Sequence, residues 1–451
     1  MSWLGIFRLA LVQMCLGAMV VLTTSTLNRL MAVELMLPAL VPGLLVGWHH
    51  AVQMTRPRMG FGSDLGGRRT PWIAGGMAVL ALGGFLAAVA TAWMGTHRLE
   101  GLCLAVLGYS LVGLGVSAAG TSLLVLLAKQ VAQERRAAAA TLVWVLMILG
   151  FAVTAGLAGR WLDPYTPGRL VAVSGAVSLV ALVLAWASLW GVERDGLPSA
   201  GTTRERPRFR AALEQVWTEP DARRFTVFVF VSMVAYSAQD LILEPFAGIR
   251  FAFTPGESTQ LSGVQHGGTL AGMLLGALAG RRWAVLSFGS LRAWIVGGCL
   301  ASALALAGLV AGHFSAGMEW PLRANVFLLG VANGAFSIAA IGSMMALAGQ
   351  GRASREGVRM GLWGAAQATG FALGGVLGTA ASDVARWLIG SQVTAYASVF
   401  AAEALLFVLA AALARRIAVP APAARPATVR EPVAALVLTP AEDRHERVAH
   451  L

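Results

Sequence analysis

The sequence predicts an all-α membrane protein of twelve transmembrane helices in two six-helix bundles. Three observations predict it. Of the 451 residues, 57% are hydrophobic and 12% charged, whereas a soluble domain carries about 25% charged residues. Apolar runs of about 20 residues, the length that crosses the hydrocarbon of a bilayer, recur from one end to the other. One long polar segment, Gly191–Arg224, divides these runs into two sets of six.

In chain order the first set lies near residues 8–31, 38–55, 71–94, 101–128, 138–160 and 169–190. The opening run, Leu9 to Leu22, has the composition of a signal-peptide core. It continues through Thr23–Leu27 without a small-residue cleavage site, so it reads as a retained span. The second set lies near 225–249, 258–280, 291–312, 322–348, 357–381 and 393–414. The expected organisation is therefore an N-terminal bundle at 1–191, a linker at 192–224 with a short surface helix around Phe209–Trp217, a C-terminal bundle at 225–416 and a tail at 417–451. From Val419 onward the tail is rich in Ala, Pro and charge, a composition that does not pack a core.

The net charge of +12 could suggest nucleic acid. The arginines cluster between spans, which points instead to topology and anionic headgroups. Eighteen basic residues fall in the linker and the loops on its side, against seven on the other, so both termini and the linker are expected to be cytoplasmic. Cys15, Cys103 and Cys299 all lie in apolar segments and form no close pair, which suits small core residues rather than a metal site. No nucleophile elbow, phosphate loop or metal-spaced His/Cys cluster supports an enzyme.

The loop between spans two and three reads GFGSDLGGRR, with Gly60, Asp64, Gly67, Arg68 and Arg69. Its glycines permit a tight turn, and Asp64 can accept from a helix N-terminus or an arginine. This loop, between six-span halves joined by a cytoplasmic linker, resembles the loop signature of the major facilitator superfamily. The role it implies for Asp64 is structural or gating. The counterpart in the second half, Gly276–Trp283, keeps two arginines and lacks the acid.

Glycines recur every fourth residue at Gly268, Gly272, Gly276 and Gly280, at Gly370, Gly374 and Gly378, and at Gly43 and Gly47. Small residues at this spacing let helices approach closely, or they leave a flat face for a planar ligand. His49 and His50 late in span two, and His266 in span eight, are either packing residues or imidazole ligands to the magnesium of a chlorophyll-type macrocycle beside such a face. Asp240 and Glu244 stand in an apolar run with no base between them. Counting helix rise from Arg224 puts them about 24 Å and about 30 Å across the bilayer, and Arg29 lies about 31 Å from Arg8. An ion pair from Arg29 to Glu244 would join the halves at that depth; the alternative partner for Arg29 is Glu34. Pro245 is expected to break the helix near its exit. Glu403, near the midplane of the last span, is either protonated or marks a contact with a partner protein.

The run SAQDLILEPFAGIRFAFTPGESTQLSGVQHGGTLAGMLLG (Ser237–Gly276) resembles the PucC/LhaA, or bacteriochlorophyll delivery, family. The resemblance rests on Gln239-Asp240, Glu244-Pro245, Ser258-Thr259-x-Leu261 and Gly267-Gly268-Thr269, and further on Thr26–Ala39, Arg56–Ile73 and Gly361–Gly375. It implies a major facilitator fold and a role in assembling bacterial light-harvesting antenna complexes. It also implies bacteriochlorophyll as a bound client, and antenna polypeptides, lipids and pigment-synthesis enzymes as partners in the intracytoplasmic photosynthetic membrane. The competing expectation is a proton-coupled secondary transporter that uses Asp240 or Glu244 as its proton site. A third reading is a scaffold that binds no ligand.

Overall fold

A computed structural model describes residues 1–56, 59, 68–193, 217–279, 290–315, 320–348 and 356–417. Residues 209–216 of the expected surface helix, and the tail, lie outside the described residues. Among the described residues twelve long helices follow one another: α1 Trp3–Glu34, α2 Leu40–Val52, α3 Thr70–Trp93, α4 Arg98–Gln130, α5 Gln133–Leu162, α6 Pro167–Leu189, α7 Pro220–Phe251, α8 Pro255–Ala279, α9 Leu291–Phe314, α10 Leu322–Ala348, α11 Glu356–Ile389 and α12 Gln392–Arg415. No strand occurs among the described residues. The fold is the all-α, twelve-helix arrangement expected from the composition.

Local chemistry sets many of the ends. The side chains of Ser2, Thr166, Ser290 and Ser391 accept from the backbone N–H three residues on, which satisfies donors left free in a first turn. Helix α7 stops where Ala252 turns left-handed at φ 54°, and Gly390 at φ 74° follows α11. Several helices outrun the apolar limits, α11 by eight residues at its far end, because a helix needs backbone partners rather than hydropathy to continue.

Among the described residues, nine of the helices are long and apolar enough, by length and composition, to cross a membrane. The three below that measure are α2, α8 and α11. They are the helices that pack, with α5, across the middle of the molecule, as α2 on α11 and α5 on α8. Helix α2 falls below the measure through its length of 13 residues; α8 and α11 are long enough and fall below it in hydropathy, which a helix shielded from lipid by protein on several sides can spare.

Within each half the same pairings recur six helices later. Helix α1 packs on α5 and α6 as α7 does on α11 and α12; α3 packs on α4 and α6 as α9 does on α10 and α12; α2 packs on α4 as α8 does on α10. The core of the second half is aromatic, with Phe225, Phe228, Phe246, Phe336, Trp363, Phe400 and Phe407 all buried. The first half is packed with aliphatic residues around Ile6, Leu9, Leu80 and Leu123.

Close helix approach uses the glycine rows. A Cβ at Gly268 or Gly272 would strike the carbonyls of Phe327 or Val331 on α10, and one at Gly276 would come 2.5 Å from Ile338 Cγ2. The reciprocal glycines of α10, Gly330 and Gly334, meet Gln265 and Thr269 in the same way. Gly370, Gly374 and Gly378 sit against Met233, Val234 and Ala238 of α7, and Gly43 and Gly47 against Thr379 and Val376 of α11. The face offered for a planar ligand is thus filled by neighbouring backbone. Van der Waals contact between helices is the main attraction available where lipid competes equally for apolar surface.

Gly272→Leu should therefore lower the thermal unfolding midpoint in mild detergent, by the equivalent of about 1–3 kcal/mol of overpacking. Gly267→Ala, where an added Cβ meets nothing within 4 Å, should leave it unchanged. Equal midpoints for the two variants would contradict the close α8–α10 contact.

Candidate functional site

The polar groups that the apolar spans carry converge where the second half of α1 meets α7 and α8. Helix α1 is not a plain α-helix there. It passes through π-helical turns at Leu22–Thr26 and Leu30–Glu34, separated by the short α-turn Leu27–Arg29. The hydroxyls of Thr23 and Thr24 donate to Val20 O at 2.7 and 3.2 Å, and Tyr109 Oη of α4 donates to Thr23 O at 2.7 Å. Side chains that occupy these carbonyls loosen the α ladder and favour the wider turn.

The widened turn directs four polar side chains, Ser25, Thr26, Asn28 and Arg29, toward the other half. Ser25 Oγ donates to Glu244 Oε1, and the hydroxyls of Thr26 and Thr259 lie 3.1 Å apart. Asn28 Nδ2 donates to Leu241 O at 2.5 Å. That carbonyl is free because its helical partner would be the N–H of residue 245, which is Pro245. The fourth side chain, Arg29, is buried at 2% exposure. It donates from Nη1 to Glu34 Oε1 at 2.5 Å and from Nη2 to Phe253 O at 2.8 Å. Gly248 makes room for it, since a Cβ there would lie 3.0 Å from Nη2.

Two expectations are corrected here. Arg29 pairs with Glu34 of its own helix and not with Glu244, because the π-turn brings a residue five positions on into line with it, where an α-helix would point it away. Its link to the other half is the bond to a backbone carbonyl. Pro245 does not end α7, which continues through it to Phe251; the proline's effect is the exposed carbonyl that Asn28 takes. Asp240 stands one turn before Glu244 and accepts from Gln265 Nε2 of α8 at 3.0 Å, within its own half.

Two further seams flank this one. Asp383 of α11 accepts from Ala39 N and Leu40 N, the start of α2, at 3.0 and 2.7 Å. Asp163, just past α5, accepts from Thr254 Oγ1 and Gly256 N at the start of α8, at 2.6 and 3.1 Å. Deeper along the same seams, His50 stacks on Phe371 with ring centroids 5.6 Å apart, and His266 leans on Phe151 at 4.9 Å. His49 is buried, with Nε2 2.8 Å from Gln53 Nε2. The structure separates His266 from Gly268, Gly272 and Gly276: the imidazole faces α5, and the glycines face α10. His49 and His266 are buried and His50 is half-buried, and none of the three shares a face with the glycine row of α8. Glu403 lies on the face of α12 that also buries Tyr396, Phe400 and Phe407, so it points into its own bundle and not toward a partner in the membrane.

Of the loop motif, Gly60, Asp64 and Gly67 lie outside the described residues. Arg68 is exposed and Arg69 buried. The N-terminus of α3 is capped by Glu193, whose Oε2 accepts from Arg69 N, Thr70 N and Thr70 Oγ1, each at 2.8 Å. Sequence reasoning missed Ser25, Asn28, Asp163, Asp383 and Glu193. A signal was available for two of them: Asp163 and Asp383 each follow a phenylalanine, Phe151 or Phe371, by twelve residues.

A twelve-helix bundle of two like halves, joined by polar contacts across apolar spans, is the architecture of the major facilitator superfamily. The chain aligns over 92% of its length with 97% of a bacterial homologue of the human lysosomal transporter Spinster in an inward-facing, occupied conformation (TM-score 0.66, 15% identity). It aligns equally well with the nucleoside transporter NupG (TM-score 0.66, 14% identity, 92% of this chain and 99% of that one). The family model described as PUCC protein matches residues 26–421, and the chain belongs to that family. It is 53% identical over 430 residues to the "Bacteriochlorophyll synthase 44.5 kDa chain" of Rhodobacter capsulatus, covering 95% of this chain and 99% of that protein. It is 32% identical over 435 residues to "Protein PucC" of Rhodobacter capsulatus, covering 91% of each.

Asn28→Ala should destabilise the protein by about 1–3 kcal/mol, the cost of a buried acceptor left without its donor. The loss should shrink in a Pro245→Ala background, where residue 245 regains an N–H for Leu241 O; additive losses would rule out the shared carbonyl. A thermodynamic cycle on Arg29 and Glu34 should give about 0.5–1 kcal/mol of coupling for this partly exposed pair. Exchanging the charges of Arg29 and Glu244 should rescue nothing.

Proposed function

We propose that the protein is a non-enzymatic assembly factor for bacterial light-harvesting antenna complexes, handling bacteriochlorophyll and antenna polypeptides in the photosynthetic membrane. The observation that carries this reading is family membership along nearly the whole chain, together with relatives whose names speak of bacteriochlorophyll and of PucC. The first of those names is an enzyme's, whereas the fold is that of transporters. The location proposed is the inner, intracytoplasmic membrane, with the linker and both termini on the cytoplasmic side.

The chemistry of the interior favours a bulky apolar client over a sugar or an ion. Ser25, Thr26, Asn28 and Arg29 are engaged at the contact between the halves, with side chains or with backbone carbonyls. On the outer face of the second half, between α9 and α10, runs a groove of about 860 Å³ lined by Trp294, Gly297, Ala301, Leu304, Ala324 and Leu328 among others, with Leu304 and Leu328 well exposed. Such a surface suits hydrocarbon. Bacteriochlorophyll would supply the light-absorbing group of the finished complex.

A second reading has a specific observation in its favour. Asp240 and Glu244 are intramembrane carboxylates beside the contact between halves, and the fold is shared with transporters, so a proton-coupled carrier would have acids in reach. Against it, Glu244 is already held by Ser25, and both acids lie toward the ends of the spans remote from the linker rather than at the midplane where coupling ions bind.

Purification from a phototrophic host in mild detergent, with an absorption spectrum and capture of co-purifying chains, tests the proposal. Bound bacteriochlorophyll together with antenna polypeptides is the expected result. A colourless, partner-free protein that moves protons in liposomes would replace it with the carrier reading.

A further inference from the structure

The inter-half seams are built twice. Phe151 and Asp163 of the first half correspond to Phe371 and Asp383 of the second, each pair twelve residues apart. Their partners correspond too: His50 and Leu40 at the start of α2 match His266 and Gly256 at the start of α8, each pair ten residues apart. In both seams the aspartate of one half accepts backbone N–H bonds at the first turn of a helix in the other. In both, a histidine rests on the phenylalanine about 18 Å deeper along the helix. The inter-half hydrogen bonds described above, those of Ser25, Thr26, Asn28 and Arg29 included, all lie toward the ends of the spans remote from the linker.

We propose that Asp163 and Asp383 are a symmetric pair of latches that hold the two halves shut at the end remote from the linker, and that releasing them lets the halves part there. The physical basis is a carboxylate set on the positive end of a helix, which satisfies donors that have no intrahelical partner. A bond of this kind across a moving boundary is broken whole when the bodies separate, and water can then satisfy both sides. It holds firmly when closed and leaves no permanent defect when open. The two latches sit on opposite flanks of the α1–α7 contact, so either one alone limits the rotation of the halves. Parting would also separate His50 from Phe371 and His266 from Phe151.

Spin labels at Met36→Cys and Trp387→Cys, which are 77% and 82% exposed near the α2–α11 end of the seam, report its opening. Cys15, Cys103 and Cys299 are replaced by serine in the full-length chain, and distances are read by pulsed electron–electron spectroscopy in lipid nanodiscs. The parent should show one dominant short-distance population. Asp163→Ala and Asp383→Ala should each raise the ratio of long to short distances by about fivefold, the usual effect of removing a helix cap. The double variant should show about the product, since the two sites share no partner.

Thr254→Val, nearly isosteric and at an exposed position, removes one donor from the Asp163 latch, together with the acceptor for Glu257 N, without altering either carboxylate. It should shift the ratio in the same direction by a smaller factor, and it keeps the test available if an alanine variant fails to fold. A lowered melting temperature with an unchanged distance distribution, in every variant that remains monodisperse and helical, would overturn the proposal and leave the aspartates as static caps.

Discussion

In α7 a proline removes one N–H and leaves the carbonyl of Leu241 without its helical partner. In water such a group would be hydrated at little cost; between packed spans each unsatisfied backbone polar group costs several kcal/mol. Asn28 of the other half meets the demand, and much of the central contact follows from that requirement. For Asn28 to face α7, α1 must be turned as it is. The same rotation sets Ser25 on Glu244, Thr26 beside Thr259 and Arg29 over Gly248. A single missing donor thereby fixes which face of the first helix meets the seventh.

Hydropathy made the order and number of spans legible, because a bilayer imposes nearly the same length and composition on each. The seam was less legible, and the reason lies in particular residues. Arg29, Asp240 and Glu244 were conspicuous as charges in oil, and depth counting placed them near one level. Which of them pair depends on helix rotation, and two π-turns shift it in a way that no α-helical count reproduces. Asn28 and Ser25 carry no charge and blend into a polar patch at a span's end. Asp163 and Asp383 sit at the ends of apolar runs, where an acid is unremarkable until its partner is known. Glu193 caps α3 from well over a hundred residues away, and nothing local announces it. His49, His50, His266 and the glycine row stood out for what they could bind, yet in the folded chain the glycines are spent on close packing and none of the three histidines shares their face.

The repetition of helix pairings after six helices extends to individual side chains at the seams but not to the centre. Helix α1 brings serine, threonine, asparagine and arginine to the contact, while α7 brings carboxylate, proline and a bared carbonyl. The flanks are symmetric and the middle is complementary. Two equivalent flanks balance a rotation about the centre, and a complementary centre fixes register so that each half recognises the other in one alignment only.

The π-turns of α1 bear on how this chain can change over generations. A π-turn holds one residue more than the α-turn it replaces, so the two segments in α1 act as local insertions that the helix has absorbed without breaking. Deleting a single residue between Leu22 and Thr26 would let that turn close into a regular α form and leave the segments on either side nearly in phase. The same deletion in a regular α stretch of the helix would swing everything after it by about 100°, and Asn28 and Arg29 would then face lipid or the wrong neighbour. Hydropathy and length would scarcely change in either case. A one-residue change of length in α1 is therefore absorbed best at the π-turns and is most disruptive between the helix start and Val21.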